Sequence, residues 1–169
     1  MSDTQDNGAG GNGTSEQAAQ AGLVVNGQYL KDLSFESPNS PGILADLQKG
    51  VQPEVNINVN VSTAKLEGPE TPDNMHEVVL ELHAELKVGD QVGFIAELKY
   101  GGVFTITAPE EHVKAFSLIE CPRVLFPFAR QIMAEATQNG GFMPLMLQPI
   151  DFAAMYQKGY LEQQAAAKN

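Results

Sequence analysis

Cys121 is the only thiol in a chain of 169 residues. Nucleophilic catalysis would require a base poised beside it, and His112 is the only histidine nearby in sequence. No activating pattern surrounds the two, so Cys121 reads as a buried structural thiol. Glu81, His83 and Glu85 stand at two-residue spacing, which puts all three on one face of a strand. Carboxylates and an imidazole could ligate a metal, but one strand holds its side chains too far apart to chelate well. They read as a solvated face. Gly101-Gly102 lacks the residues that complete a phosphate loop, so it reads as a kink or bulge. No catalytic constellation emerges, and the chain is read as a non-enzyme without cofactor or metal.

Binding is the better-supported chemistry. Val55, Ile57, Val59 and Val61 alternate with Asn56, Asn58, Asn60 and Ser62, so this strand buries one face and wets the other. Its wet face is amide-rich and uncharged, a surface on which another chain can dock. Residues 142–147 read Phe-Met-Pro-Leu-Met-Leu and join two helices. A connection this apolar is unusual, because loops run through water. Methionine adapts to varied apolar shapes, so the segment suits either a groove wall for unfolded chain or, equally, a buried linker. Phe104, Phe126, Phe142 and Met146 are the expected groove residues.

These features need elements to hold them. Residues 1–22, of Gly, Asn, Ser, Thr, Gln and Ala, cannot offset chain entropy and are read as a disordered extension. The ordered domain is expected at 23–161 and a flexible tail at 162–169. Tyr29, Leu33 and Phe35 fall on one face of a first strand, interrupted by Lys31; Leu30, Asp32, Ser34 and Glu36 fall on the other. Residues 43–49 allow a helical turn or two. The Asn-alternating strand follows, then a loop at 68–74. The third strand, 76–88, carries Val78, Leu80, Leu82, Ala84 and Leu86 on one face. Gly89-Asp90 signals a tight turn. Val92, Phe94, Ala96, Leu98 and Tyr100 line the fourth strand, which Gly101-Gly102 should break before a short piece at 103–106.

Helical patterning then takes over. Pro109 suits a helix start, with Glu110 and Glu111 at its positive end. Cys121-Pro122 should interrupt. A longer helix spans 124–139, and Gly140-Gly141 ends it. Asp151 caps a last helix bearing Phe152, Met155, Tyr156 and Tyr160. The expected fold is α+β: a four-stranded antiparallel sheet with helices on one face. On the long helix, Leu125, Phe126, Phe128, Ala129, Ile132, Met133 and Ala136 sweep about 160°. A core-facing stripe needs only about 100°, so the surplus predicts a second copy packed there, the alternative being a helix sunk deeper in its own protomer. Phe128, Ile132 and Met133 are the expected interface residues.

Net charge is −11. Nucleic acid demands clustered Lys and Arg, so the balance argues against it as a partner, whereas partners with basic segments suit it. A lone cysteine forms no internal disulfide and points to a reducing compartment. Residues 2–22 hold nothing more apolar than Ala, so no signal peptide is expected, and no run approaches a membrane span. The expectation is a cytoplasmic protein without stable membrane insertion.

Several stretches together resemble the SecB family of protein-export chaperones. They are Lys31-Asp32-Leu33-Ser34-Phe35-Glu36-Ser37-Pro38, Gln52-Pro53-Glu54-Val55, Phe94-Ile95-Ala96-Glu97, Gly101-Gly102-Val103-Phe104 and the run Cys121-Pro122-Arg123-Val124-Leu125-Phe126-Pro127-Phe128-Ala129-Arg130. The resemblance implies a homotetramer, a dimer of dimers, that binds unfolded precursor proteins and passes them to the translocation ATPase SecA. It implies neither ATP nor a cofactor. It also implies SecA contacts at Asp32, Glu36, Ile95 and Glu97. Two features depart from the pattern: Val51 stands where many members carry Trp, and the tail lacks the acidic run of some relatives. The competing reading is a structural assembly protein without client binding; a small antiparallel-sheet enzyme ranks third.

Overall fold

The computed structural model describes residues 21–166, with side chains described through Gly159. The extension expected at residues 1–22 therefore lies outside the described residues up to position 20, and so does the side chain of Tyr160. Four strands form one antiparallel sheet: β1 (Gly22–Glu36), β2 (Glu54–Lys65), β3 (Met75–Val88) and β4 (Gln91–Thr107). Their order is β1-β4-β3-β2, so β1 and β2 are the edges. A short helix α1 (Gly42–Gln48) links β1 to β2. After β4 come α2 (Glu110–Ala115), a π turn (Phe116–Glu120), α3 (Cys121–Asn139) and α4 (Phe152–Ala166). The tail expected from residue 162 thus begins inside α4.

Alternation decides which sheet face the helices cover. Val78, Leu80, Leu82 and Ala84 of β3 are buried, as are Phe94, Ala96, Leu98, Phe104 and Ile106 of β4. They pack against Cys121, Leu125, Ala129 and Met133 of α3. The odd-numbered residues of the central strands, from Glu81 to Glu85 and from Ile95 to Lys99, face away from the helices. We call that side the open face. Gly89, with φ +59°, makes the two-residue turn between Val88 and Gln91 that the sequence signals.

Three local expectations change. First, β4 runs unbroken through Gly101 and Gly102. These glycines give room rather than a break: a Cβ on Gly101 would lie 2.8 Å from the Tyr29 ring, and one on Gly102 2.9 Å from Leu125. Second, Cys121-Pro122 does not end the helical path. Pro122 lacks an N–H, and its ring would clash with the carbonyl four residues back. The wider π turn at Phe116–Glu120 sits there and carries the path into α3.

Third, β1 does not keep one phase. Its register against β4 shifts between Val25 and Gly27 and again between Leu30 and Asp32. Residues directly opposed in an antiparallel pair share a face. Leu33 opposes Leu98 and Leu30 opposes Tyr100, so both lie on the helix side. Tyr29 opposes Gly101 and lies on the open face with Asp32. Plain alternation had placed Tyr29 with Leu33, and Leu30 with Asp32; a bulge at Lys31 exchanges them.

The end of α3 follows the expected stop. Gly141 takes φ +87°, the Phe142 N–H donates to the Thr137 carbonyl at 3.1 Å, and the Gly141 N–H to that of Gln138 at 3.0 Å. This is a Schellman arrangement. The Thr137 hydroxyl donates to the Met133 carbonyl at 3.0 Å and accepts the Leu145 N–H at 2.9 Å. The apolar linker is thereby pinned to α3. Asp151 caps α4, its carboxylate accepting the Ala154 N–H at 3.0 Å.

Candidate functional site

The open face gathers the four residues expected to meet a basic partner. Glu36 opposes Ile95, Ser34 opposes Glu97, and Asp32 opposes Lys99 across the β1–β4 pair. Asp32, Glu36 and Glu97 are exposed and Ile95 is half-buried. Two strands therefore present three carboxylates and one aliphatic side chain on the same face. Further carboxylates extend the surface. Glu81 accepts from Asn60 Nδ2 at 3.0 Å and pairs with Lys99 at 3.6 Å. Glu85 pairs with Lys87 at 3.1 Å, and His83 Nδ1 lies 3.1 Å from Glu97. Glu81, His83 and Glu85 each have a separate partner, and no cluster able to hold a metal occurs among the described residues. A shallow cleft of about 620 Å³ runs between Asp32, Asn58, His83 and Glu97.

At one end of this face Glu77 receives two donors. Lys31 Nζ lies 2.6 Å from its Oε1, and the Tyr29 hydroxyl donates to the same oxygen. The Lys31 hydrogen bond, then that of Tyr29, holds the Glu77 carboxyl below its usual range. Burial first, then the Glu77 contact, pushes the Tyr29 phenol up to about 12. Sequence reasoning assigned Glu77 no role and took Lys31 as a mere interruption. That interruption was itself the available signal of a bulge.

The helix side holds the apolar candidates, and here burial separates them. Phe104 is 0% exposed, Phe126 8% and Phe142 7%. These three are core residues: Phe142 meets Phe94 edge-on at 5.1 Å, and Phe126 meets Phe152 at 6.1 Å. Only Met146 of the four expected groove residues is open to solvent. An open groove of about 240 Å³ lies instead between β2, the π turn and α4. Val61, Leu118, Met155 and Tyr156 line it. No periodicity in the chain points to this groove, because it arises from where α4 settles beside an edge strand.

The wide apolar arc of α3 also divides. Leu125, Ala129 and Met133 are fully buried, so Met133 is a core residue and not part of an outer surface. Ile132 is partly buried. Phe128 is 48% exposed and stacks on Tyr100 at 6.2 Å, on the same sheet side as Leu30 and Leu33, themselves open to solvent. An uncovered apolar strip thus runs from α3 to the β1 edge.

Cys121 is buried, and its thiol is pushed up to about 12 by burial and by the nearby Glu120 charge. The nucleophile is the thiolate, so the folded protein should resist alkylation. Iodoacetamide at about pH 8 is expected to leave Cys121 unmodified in native protein and to label it in denaturant. Rapid labelling of the native form, read by intact mass, would contradict the inert assignment.

The chain aligns with known proteins over most of its length. A family model described as Preprotein translocase subunit SecB matches residues 16–164. The Protein-export protein SecB of Rhodospirillum rubrum is 49% identical, covering 90% of this chain and 92% of the relative. That of Mesorhizobium japonicum is 51% identical, covering 93% and 90%. Among solved structures, a Mycobacterium tuberculosis SecB-like chaperone, in complex with a ChAD peptide from an antitoxin, superposes with a TM-score of 0.61. It covers 76% of this chain and 90% of its own at 14% identity, a likeness of fold alone. With identity near one half along nearly the whole length of these relatives, and with the antiparallel sheet and helix layer in place, the chain belongs to the SecB family.

Proposed function

We propose that this SecB-family chain is an ATP-independent chaperone that binds unfolded precursor proteins in the cytoplasm and delivers them to SecA. One observation carries the reading: the sheet has two chemically distinct working sides. Its helix side leaves apolar side chains uncovered at both edges, with Val55 and Ile57 on β2 and Leu30 and Leu33 on β1 each at least 40% exposed. Its open side carries the carboxylates of Asp32, Glu36 and Glu97, with Ile95 on the same face. An unfolded chain offers apolar segments to the first, and a basic partner segment suits the second. Association with unfolded chain alone holds clients unfolded by mass action.

In this reading the groove by Leu118 and Met155 takes client side chains, and Met146 adds an adaptable apolar contact. The strip of Phe128, Leu30 and Leu33 takes a second copy, and two such pairs make the dimer of dimers. That strip would equally serve a purely structural assembly protein, so the test must be client binding. Nucleotide-free suppression of aggregation of a refolding, unrelated polypeptide is the expected result. Leu118→Gln with Met155→Gln should weaken affinity for an unfolded precursor about tenfold or more, since each buried apolar side chain is worth roughly 1.5–3 kcal/mol. Suppression absent in the parent protein would favour the assembly role. Unchanged affinity in the folded double variant would place the groove elsewhere.

A further inference from the structure

β1 is one of the two edge strands of the sheet, and packing within the protomer supports its middle only lightly. Of its helix-side residues, Val25 is 40% exposed, Leu30 50% and Leu33 40%. It also breaks register twice. Within its own protomer such a strand relies on its ladder and side-chain contacts for register, and a slip of one residue would exchange its two faces. Phe35, packed against Phe94 and Phe142, anchors its C-terminal end, and Leu23, packed against the core opposite Ile106, its N-terminal end, so the bulge lies in the lightly packed middle.

The second bulge is held from the open face. Lys31 is the extra residue, without a direct partner in the β4 register. Its amine and the Tyr29 hydroxyl, one on each side of Leu30, meet a single oxygen of Glu77. Glu77 belongs to β3, which is not adjacent to β1. Tyr29 must therefore lean across β4, and it does so over Gly101, where any Cβ would collide with its ring. The result is a strap across three strands. With both neighbours drawn to the open face, Leu30 is left on the helix side, and the ladder resumes with Asp32 opposite Lys99.

We propose that Tyr29, Lys31 and Glu77 form a register lock, positioning residues that hold the β1 bulge and so set Asp32 in the docking face and Leu30 on the opposite one. The docking half of this inference rests on the proposed function. Lys31 gives the discriminating test, because charge alone and the lock predict opposite signs. Lys31→Met makes the open face more negative, which by attraction alone would tighten binding of a basic partner. The lock predicts weaker binding.

Purified SecA is the probe, with the full-length assembled protein. Lys31→Met and Tyr29→Phe, the latter leaving every charge in place, should each lower SecA affinity roughly three- to tenfold, the range of a single exposed ion pair or hydrogen bond. Affinity for an unfolded precursor should not change. Amide exchange at residues 29–34 should accelerate, while that of residues 78–86 stays as in the parent. Lys31→Arg should restore both readouts. Tighter SecA binding by Lys31→Met, or unaltered exchange in both variants, would overturn the lock. Faster exchange with unchanged SecA affinity would reduce the three residues to a structural role and reject positioning. A parallel Asp32→Lys variant separates the premises. If it binds SecA normally, the docking face is misassigned; if it loses SecA while Lys31→Met and Tyr29→Phe do not, the lock alone fails.

Discussion

Replacing Asp32 and Glu36 together with lysine is expected to lower affinity for SecA by about a hundredfold while leaving client binding and assembly intact. Both residues are exposed, and both lie on the open face beside Ile95 and Glu97. Reversal turns two attractions into two repulsions, so its effect exceeds that of simple truncation. Exposed charges act through water and are screened over roughly 8–10 Å at ordinary salt. The parent affinity should therefore fall as salt rises, and the variant should show a flatter dependence. Neither residue packs in the core, so the fold should survive; circular dichroism and light scattering check this. Equal loss of SecA and client binding, or loss of neither, would reject the assignment of the open face to SecA.

The largest expected effect on stability comes from Phe94→Ala. Phe94 is 1% exposed, with ring centres of Phe35 and Phe142 at 5.6 and 5.1 Å. These three rings join the end of β1, the centre of the sheet and the apolar linker. Truncation removes the common neighbour of the other two and leaves a cavity that rigid strands cannot close. The cost is expected at about 3–5 kcal/mol. For a domain of this size the thermal midpoint falls roughly 2–4 °C per kcal/mol, at fixed protein concentration. Met143→Ala is the matched control. Met143 is 88% exposed, and its loss should stay within about 0.5 kcal/mol. A Phe94→Ala loss below about 1 kcal/mol would mean that the three rings are not a shared core element.

Much of this protein is legible in one dimension. Two-residue alternation from Val78 to Leu86 and from Phe94 to Tyr100 marks two strands and the faces they bury, because a strand's side chains obey a fixed local geometry. Gly89-Asp90, Gly140-Gly141 and Asp151 mark a turn, a helix stop and a helix cap through backbone and side-chain chemistry confined to a few residues. The motifs around Asp32, Ile95 and Cys121 carry the family resemblance in the same way. Tertiary structure decided what depends on neighbours distant in sequence. Lys31 becomes a bulge because Tyr29 and Lys31 both reach Glu77, and that exchange of faces lies beyond any alternation rule. Gly101 and Gly102 continue β4 because the Tyr29 ring and Leu125 need the space, whereas composition alone suggests a break. Phe104, Phe126 and Phe142 look available as apolar residues in sequence, yet the helix layer closes over them and opens a groove beside Leu118 and Met155 instead. On α3, hydrophobicity alone cannot rank Met133 and Phe128. One faces the sheet and the other stays half open to solvent, so the layer's position on the sheet divides buried core from exposed strip.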